Sequence, residues 1–277
     1  MKICGVVVWY NPDKVLNIKS YLNFLDKLYI VDNSNNNNFK MTKNLGGRVT
    51  YIPLFCNKGI AYALNIGIKR ALEEKYDFIL TMDQDSEYEE GMFFKYINFV
   101  KNDKEKNIGI YSSIPLIGKR KEYSNEEYKY AEIAMTSGSL INLSIIKEVG
   151  LFNEDFFIDE VDTEFSFRVR DNGFKIKVVN NTFFKHTIGN TKRYKFGGKV
   201  THHNYIRRYY ITRNKLYMIK KYGDRVKIKY KKEIFRDLRK IIFYEKDKFL
   251  KLKMCWLAYK DFKNGVKGPL DKKYIVK

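Results

Sequence analysis

In the stretch DFILTMDQDSEYEE, residues 77–90, an apolar run leads directly into acids. Phe78, Ile79 and Leu80 have the composition of a short buried strand, and Asp83, Asp85 and Glu87 follow at alternate positions with Glu89 and Glu90 behind them. Carboxylates this close at the end of a core strand repel one another unless something positive lies between them. A hard divalent cation takes oxygen ligands, and Mg2+ is bound through one or two carboxylates plus substrate phosphates. Mg2+ or Mn2+ carrying a diphosphate is therefore the chemistry that Asp83 and Asp85 suit, with the cation stabilising charge on a leaving nucleotide diphosphate. An exposed acidic turn is the plainer account. A second group of acids, Asp159, Glu160, Asp162 and Glu164, crowds the start of a helix whose apolar stripe is Val161, Phe165 and Val169. Acids in a first turn also suit the helix dipole with no further role.

These residues need elements to hold them. Residues 3–9 form a continuous apolar run of the kind found in a buried parallel strand. Asn11-Pro12-Asp13 breaks it, a helix is predicted over 14–25, and strands over 28–33 and 49–54. KGIAYALNIGIKRALEEK, starting at Lys58, reads as a strong helix, and 77–82 as a fourth strand. Alternating strands and helices predict an α/β sheet with crossover helices. Ligands of such sheets sit beyond the carboxyl ends of the strands. Asn11, Asp32, Asn57 and the pair Asp83 and Asp85 all fall at strand ends, so four strands deliver polar groups to one rim. Further along, the patterning predicts a helix over 88–102, a strand over 108–113 and a charged loop over 114–130. A strand over 132–142 that breaks at Ser137-Gly138, a helix over 159–171 and a strand over 175–179 follow.

With 277 residues the chain is long enough for a substantial core, and 22 Tyr and 20 Phe argue against disorder over most of it. Cys4, Cys56 and Cys255 are widely spaced and odd in number, which fits reduced thiols in a cytoplasmic protein. No run of about 18 apolar residues occurs, and the amino-terminal run reads as a strand rather than a signal peptide. The net charge of +21 is unevenly placed: residues 192–277 carry 28 Lys and Arg against 7 Asp and Glu, whereas residues 1–191 carry 25 of each. This shift predicts two regions, residues 1–200 and a basic amphipathic helical extension at 201–277.

The segments VVVWYNP, IVDNS, NKGIAYALNIGI, TMDQDS, TSGSLIN and FIDEVDTEFSFRVRDNGFKI resemble, in order and spacing, those of glycosyltransferase family 2, most closely its rhamnosyltransferase-like branch. The resemblance spans about residues 3–220. It implies a GT-A fold, a Rossmann-like and mostly parallel central sheet flanked by helices, together with a nucleotide-diphosphate sugar donor, Mg2+ or Mn2+, and inversion at the anomeric carbon.

By the same resemblance, Asp32 matches the acid that accepts the imide N–H of uracil or thymine, although an Asp in DNSN also serves as a turn former. Asn11 matches the nucleotide-contacting region, and Asn57 and Gly59 the segment over the nucleoside; Asn57 can equally cap the following helix. Asp83 corresponds to the carboxylate on the ribose or phosphate side and Asp85 to the more direct metal ligand. His186 lies where similar enzymes place a histidine near the metal, whereas His202 and His203 match nothing as closely. Ser137-Gly138 resembles a loop lining the donor sugar, with a tight turn as the alternative. Inverting transfer needs a general base for the acceptor hydroxyl. The family's base lies six residues before an arginine on this helix, which singles out Asp162 ahead of Arg168. Asp159 is the second candidate, and Glu164 is assigned to the acceptor side. Arg213-Asn214, in YYITRN, matches a motif of the branch, and the arginine's planar fork suits a diphosphate.

The tail interleaves Phe249, Leu252, Trp256 and Tyr259 with lysines. That composition suits an anionic membrane surface, the acceptor, or a second copy of the chain in a homodimer. The resemblance implies a glycan acceptor on a polyprenyl diphosphate lipid and a cytoplasmic enzyme peripheral to the inner face of the plasma membrane. Together these features predict an inverting transferase of bacterial surface polysaccharide synthesis using TDP-L-rhamnose, or, within the family, UDP-glucose, UDP-galactose or UDP-N-acetylglucosamine. A sugar-1-phosphate nucleotidyltransferase would need a glycine-rich phosphate loop that WYNPDK does not supply. A nucleic-acid-binding protein would account for the charge, but the neutral first two-thirds with its acidic rim argues against it.

Overall fold

The computed structural model describes residues 1–14, 18–117, 121–187, 191–194 and 198–275. Its strands are β1 (Ile3–Trp9), β2 (Lys27–Asp32), β3 (Val49–Pro53), β4 (Phe78–Asp83), β5 (Glu87–Tyr88), β6 (Ile108–Leu116), β7 (Tyr128–Tyr130), β8 (Ser139–Asn142), β9 (Lys175–Lys185), β10 (Thr191–Tyr194) and β11 (Gly198–Thr201). Its helices are α1 (Lys19–Leu22), α2 (Ile60–Glu73), α3 (Met92–Asn102), α4 (Ile146–Val149), α5 (Val161–Asp171), α6 (Tyr205–Tyr222), α7 (Asp224–Tyr244) and α8 (Lys248–Lys263). The chain divides into two units, one of Met1–Asn153 with Asp162–Thr187, the other of Glu154–Val161 with Ile188–Lys277.

The first unit holds the main sheet, in the order β3-β2-β1-β4-β8-β6-β9-β5, with β7 beside β9. Every residue of β1 is buried, as its unbroken apolar run requires of a strand flanked on both edges and covered on both faces. Strands β1 to β4 are mutually parallel in register, with Trp9 level with Asp32, Asp32 level with Pro53, and Val8 level with Asp83. This register is what brings four strand ends to one rim. Antiparallel β8 follows, with Ser139 opposite Thr81, and β6 then pairs parallel with β9.

Helix α2 lies close on β1. A Cβ at Gly67 would come within 2.5 Å of Val6 Cγ2, so only glycine allows this approach. Buried Asn65, on the same helix, donates Nδ2 to the Phe152 carbonyl at 2.9 Å and accepts the Phe152 N–H at 3.0 Å. One helix thus fixes both the sheet and the loop that precedes α5.

Several expectations change, among them the strand expected over 132–142, of which only Ser139–Asn142 forms, and the helix expected over 88–102, which starts at Met92. The helix predicted over 14–25 is only the short α1, and residues 15–17 lie outside the described residues. The strand predicted over 175–179 continues to Lys185, passing Asn180 and Asn181, the latter at φ +57. Asparagine tolerates that left-handed backbone, so an Asn pair that resembles a break is an irregularity within a strand. The predicted loop over 114–130 carries the end of β6 and β7, and its residues 118–120 lie outside the described residues.

The second unit contains the β10–β11 hairpin and helices α6, α7 and α8. Its boundary therefore falls before residue 200 and takes in 154–161 as well. Tyr209, Tyr210, Met254, Leu257 and Ala258 form its apolar core. Around this core lies a buried ionic network: Glu245 joins Arg208 and Lys251, the latter at 2.8 Å, and Lys215 meets Glu233 and Asp237 at 3.1 Å each. Asp261 accepts the Tyr209 hydroxyl at 2.6 Å. Glu233, Asp237 and Glu245 are thus matched inside by Arg208, Lys215 and Lys251, so the excess of cations in this unit lies on its outer surface. Of the final KKYIVK, Lys272–Tyr274 form a helical turn, and 276–277 lie outside the described residues.

Candidate active site

The first unit gathers at the rim a set of side chains that could hold a metal ion. Asp83 ends β4, Asp85 follows in the turn, and His186 follows β9, which pairs with β5 so that Glu87 lies opposite Lys185. Ligand atoms of Asp83, Asp85 and His186 lie within 4.8 Å of one another. His186 Nδ1 is 3.6 Å from Asp85 Oδ1 and 4.0 Å from Asp83 Oδ2. Two further acids of the cluster are neutralised separately, Glu87 by Lys185 at 3.3 Å and Glu89 by Lys121. Two carboxylates and an imidazole converging on one point fit a divalent cation such as Mn2+, for which both ligand types serve.

A hydroxyl relay holds this set. Ser137 Oγ accepts the Asp83 N–H at 3.2 Å and donates to Ser86 Oγ at 2.9 Å, and Ser86 Oγ lies 3.0 Å from His186 Nδ1. Ser86 therefore belongs to the site, a role that its place at the end of TMDQDS does not by itself reveal. The relay also corrects the expectation for Ser137 and Gly138 as donor-binding residues. Ser137 is 1 % exposed and faces the relay, while Gly138 adopts φ +77 and a Cβ there would come within 2.5 Å of Phe184. Both shape the turn that holds Asp83.

At the neighbouring strand ends, the Asn11 N–H donates to Ser34 Oγ at 2.7 Å, and Tyr10 and Gln84 exchange two bonds, at 2.7 and 3.3 Å, tying the end of β1 to that of β4. Asp32 is wholly buried. Its carboxylate accepts from the Ser34 N–H at 3.1 Å, Asn38 Nδ2 at 2.8 Å and the Tyr51 hydroxyl at 2.5 Å. Burial and the adjoining carboxylate push the Tyr51 phenol up to about 12. Asn57 Oδ1 accepts from the Gly59 N–H and Asn33 Nδ2, both at 3.0 Å, and Gly59 takes φ +91 to open α2. Asn57 thus closes an Asx turn ahead of the helix, whose N-cap is Gly59 without a side-chain cap, so the expected N-cap role of Asn57 is corrected.

Asp162 opens α5, with Oδ1 accepting the Thr163 N–H at 2.8 Å, and it lines a small cleft with Thr81 of β4, Thr136 and Ser166. Glu164 differs from its expected acceptor-side place. Its side chain is 0 % exposed and is gripped by Arg168, with Nε at 2.8 Å and Nη2 at 2.9 Å. Arg168 also donates to the carbonyls of Val149 and Leu151, so this pair fastens α5 to the loop at 149–151. A roomier cavity of about 680 Å³ lies elsewhere in this unit, beside Tyr128 and Lys177. Lys177 there is already matched to Asp103 at 2.6 Å and Glu105 at 2.7 Å.

In the second unit Arg213 is 0 % exposed. It donates to the Gly268 carbonyl at 2.7 Å, the Asp155 carbonyl at 3.0 Å and Asn214 Oδ1 at 3.2 Å. A guanidinium consumed by carbonyls in a core is a structural pin, which corrects the diphosphate role expected of it. Asp159 is held by Arg207 through paired bonds between 3.0 and 3.3 Å. His203 is half-buried beside Arg207 and Arg208, and its partial burial together with these charges pushes its imidazole down to about 4.

Comparisons with known proteins agree with this arrangement. The model of "Glycosyl transferase family 2" matches residues 13–150. A dTDP-rhamnosyl transferase of Shigella flexneri, RfbF, is 27 % identical over 96 % of this chain and 97 % of its own length. The crystal structure of GalNAc-T7 with UDP, GalNAc and Mn2+ has a TM-score of 0.57 at 15 % identity and covers 96 % of this chain, which spans 56 % of that one. The last likeness concerns the fold and agrees with the expected GT-A architecture. The motif order, the strand-end rim and the family match lead to one assignment: the chain belongs to glycosyltransferase family 2.

Proposed function

We propose that the protein is a metal-dependent inverting transferase that moves L-rhamnose from TDP-L-rhamnose to a glycan acceptor of a bacterial surface polysaccharide. The observation that carries this reading is the convergence of Asp83, Asp85 and His186 at the rim, in a chain similar along nearly its whole length to a dTDP-rhamnosyl transferase. A divalent cation on these three ligands would neutralise the donor diphosphate as it leaves. Asp162 takes the proton of the acceptor hydroxyl while that oxygen attacks the anomeric carbon. The carbon–oxygen bond to the nucleotide diphosphate breaks on the opposite face, so configuration inverts. Asn11 and the Asn57-Gly59 turn border the nucleotide. Recognition of the base at Asp32 then requires its imide N–H to replace the bond from Tyr51 or Asn38.

Binding and turnover test this reading. TDP-L-rhamnose, UDP-glucose, UDP-galactose and UDP-N-acetylglucosamine are compared in thermal shift and in nucleotide release, with and without Mn2+. Stabilisation by TDP-L-rhamnose that needs Mn2+ and disappears in Asp85→Ala is the expected result. A UDP-sugar in its place would retain the family and replace the donor, and silence toward all four would remove the transferase reading.

The acceptor is placed on a polyprenyl diphosphate lipid, and the basic unit on an anionic bilayer at the cytoplasmic face. Helix α7 turns Ile228 (69 % exposed), Phe235 and Ile242 outward at seven-residue spacing, among Lys231, Lys232 and Arg239. Helix α8 does the same with Phe249 (91 %) and Trp256 (63 %), among Lys253 and Lys260. Exposed aromatic and aliphatic groups mixed with cations match the headgroup region of an anionic membrane. Two such faces would repel each other, which disfavours a second copy as the occupant.

A further inference from the structure

The segment 154–161 leads into α5, whose second residue is Asp162. It belongs to the helical unit and is bound to that unit along its whole length. Arg213 Nη2 donates to the Asp155 carbonyl at 3.0 Å. Asn214 Nδ2 meets three carbonyls, those of Phe156 at 2.7 Å, Ile158 at 2.8 Å and Asp159 at 3.0 Å. The Phe157 ring stacks on Tyr210, with centroids 4.8 Å apart and planes 13° from parallel. Arg207 holds the Asp159 carboxylate, and the Tyr230 hydroxyl donates to Glu160 Oε2 at 2.5 Å.

The backbone these bonds enforce is unusual. Phe157, Asp159 and Glu160 all lie in the left-handed region, at φ +57, +64 and +64. None is glycine, and such residues persist there only when their surroundings over-determine them. A loop that needed only to connect two elements would have no reason to be held this way. Strain of this kind, maintained by buried side chains immediately before the residue assigned as general base, marks a segment whose geometry is being set.

We infer that Arg213, expected from the resemblance at the donor diphosphate, and its neighbour Asn214 are positioning residues for acceptor deprotonation, fixing the strained 155–160 segment so that α5 starts with Asp162 in its working place. The inference rests on the transferase reading above and assigns a part of its chemistry to the helical unit. The basic extension then contributes to catalysis through its inner face, independently of what its outer face binds.

The experiment is a double-mutant cycle on the full-length chain, following TDP release from TDP-L-rhamnose with Mn2+, with water or an octyl rhamnoside as acceptor. Asn214→Ala is expected to lower kcat by about 10- to 100-fold, the range expected when a reacting group is misplaced, while the Kd for TDP with Mn2+ stays within about twofold. Asp162→Asn lowers kcat at least as far, and adding Asn214→Ala to it changes nothing more, because residues acting through one group are not additive. Effects that multiply, donor affinity lost in step with kcat, or an unaltered kcat would each overturn the inference. Arg207→Gln removes a partly exposed hold on the same segment and Tyr230→Phe deletes a single hydroxyl while keeping the buried ring, so both preserve the test if Asn214→Ala does not fold. Each should cost a few-fold in kcat, again without further effect in Asp162→Asn. An inactive wild type that binds no nucleotide sugar would remove the transferase reading and this role together, whereas an active wild type with a silent cycle removes this role alone.

Discussion

The two units treat charge in opposite ways. In the α/β unit, acids collect at the rim, where Asp83 and Asp85 remain accessible at 32 % and 42 % side-chain exposure and converge on His186. In the helical unit, acids go inward, with Glu245 at 0 % and Glu233 and Asp237 near 20 %, each joined to a buried or half-buried cation. The nearly balanced charge of residues 1–191, with 25 acids and 25 bases, therefore coexists with an anionic rim suited to a cation, while the basic residues of 192–277 outnumber the acids 28 to 7. The distribution of charge, more than its sum, separates a rim suited to a divalent cation from a surface suited to the proposed anionic layer.

The strongest way to break this comparison is to remove an inward acid. Glu245→Ala leaves Arg208 and Lys251 buried without their shared partner, and should cost about 3–5 kcal/mol in denaturant unfolding. The same change at Glu87, whose Lys185 partner is 58 % exposed, should cost less than about 1 kcal/mol. Equal losses at the two positions would mean that burial of the ionic network does not matter. Next in size is the outer surface. Replacing Phe249 and Trp256 by serine should weaken binding to phosphatidylglycerol vesicles about tenfold, from the apolar area withdrawn from lipid. Phosphatidylcholine vesicles should bind neither form. Retention on DNA that matches retention on vesicles would replace the lipid by a polyanion of another kind.

The smallest effect concerns acid. His203 is held neutral, with its pKa lowered to about 4 in the folded chain by partial burial and by Arg207 and Arg208. The unfolded chain then binds the extra proton first, so its contribution to stability is complete above about pH 6.5 and is lost as pH falls toward 4. His203→Gln should flatten the fall in Tm between those values by a few degrees while leaving Tm at pH 7.5 nearly unchanged. An unaltered slope would show that this imidazole charges without cost.

Much of the rim was legible because parallel strands leave little choice. Once β1, β2, β3 and β4 are read as apolar runs, their register places Asn11, Asp32, Asn57 and Asp83 at one edge. What was not legible depended on contacts across the sheet. Ser86 meets His186 only because β9 runs on past Asn181 to pair with β5. Arg213 and Glu164 carry charges that motif reading assigns to substrate, yet burial turns each of them onto the protein itself. Sequence identifies the type of side chain at a position. Whether it faces a ligand or a carbonyl is decided by packing that motif order does not encode.

One further consequence lies in the two tryptophans. Trp9 ends the central strand and is 2 % exposed, beside Tyr51 at 6.3 Å, whereas Trp256 stands out from α8 at 63 %. The chain therefore carries two optical reporters whose environments differ as widely as such environments can. Quenching by a dissolved ion such as iodide will act on Trp256 and leave Trp9 nearly untouched. Light emitted at shorter wavelength then belongs to the nucleotide-side rim and light at longer wavelength to the cationic face, so a single cuvette can follow events at both units without a label.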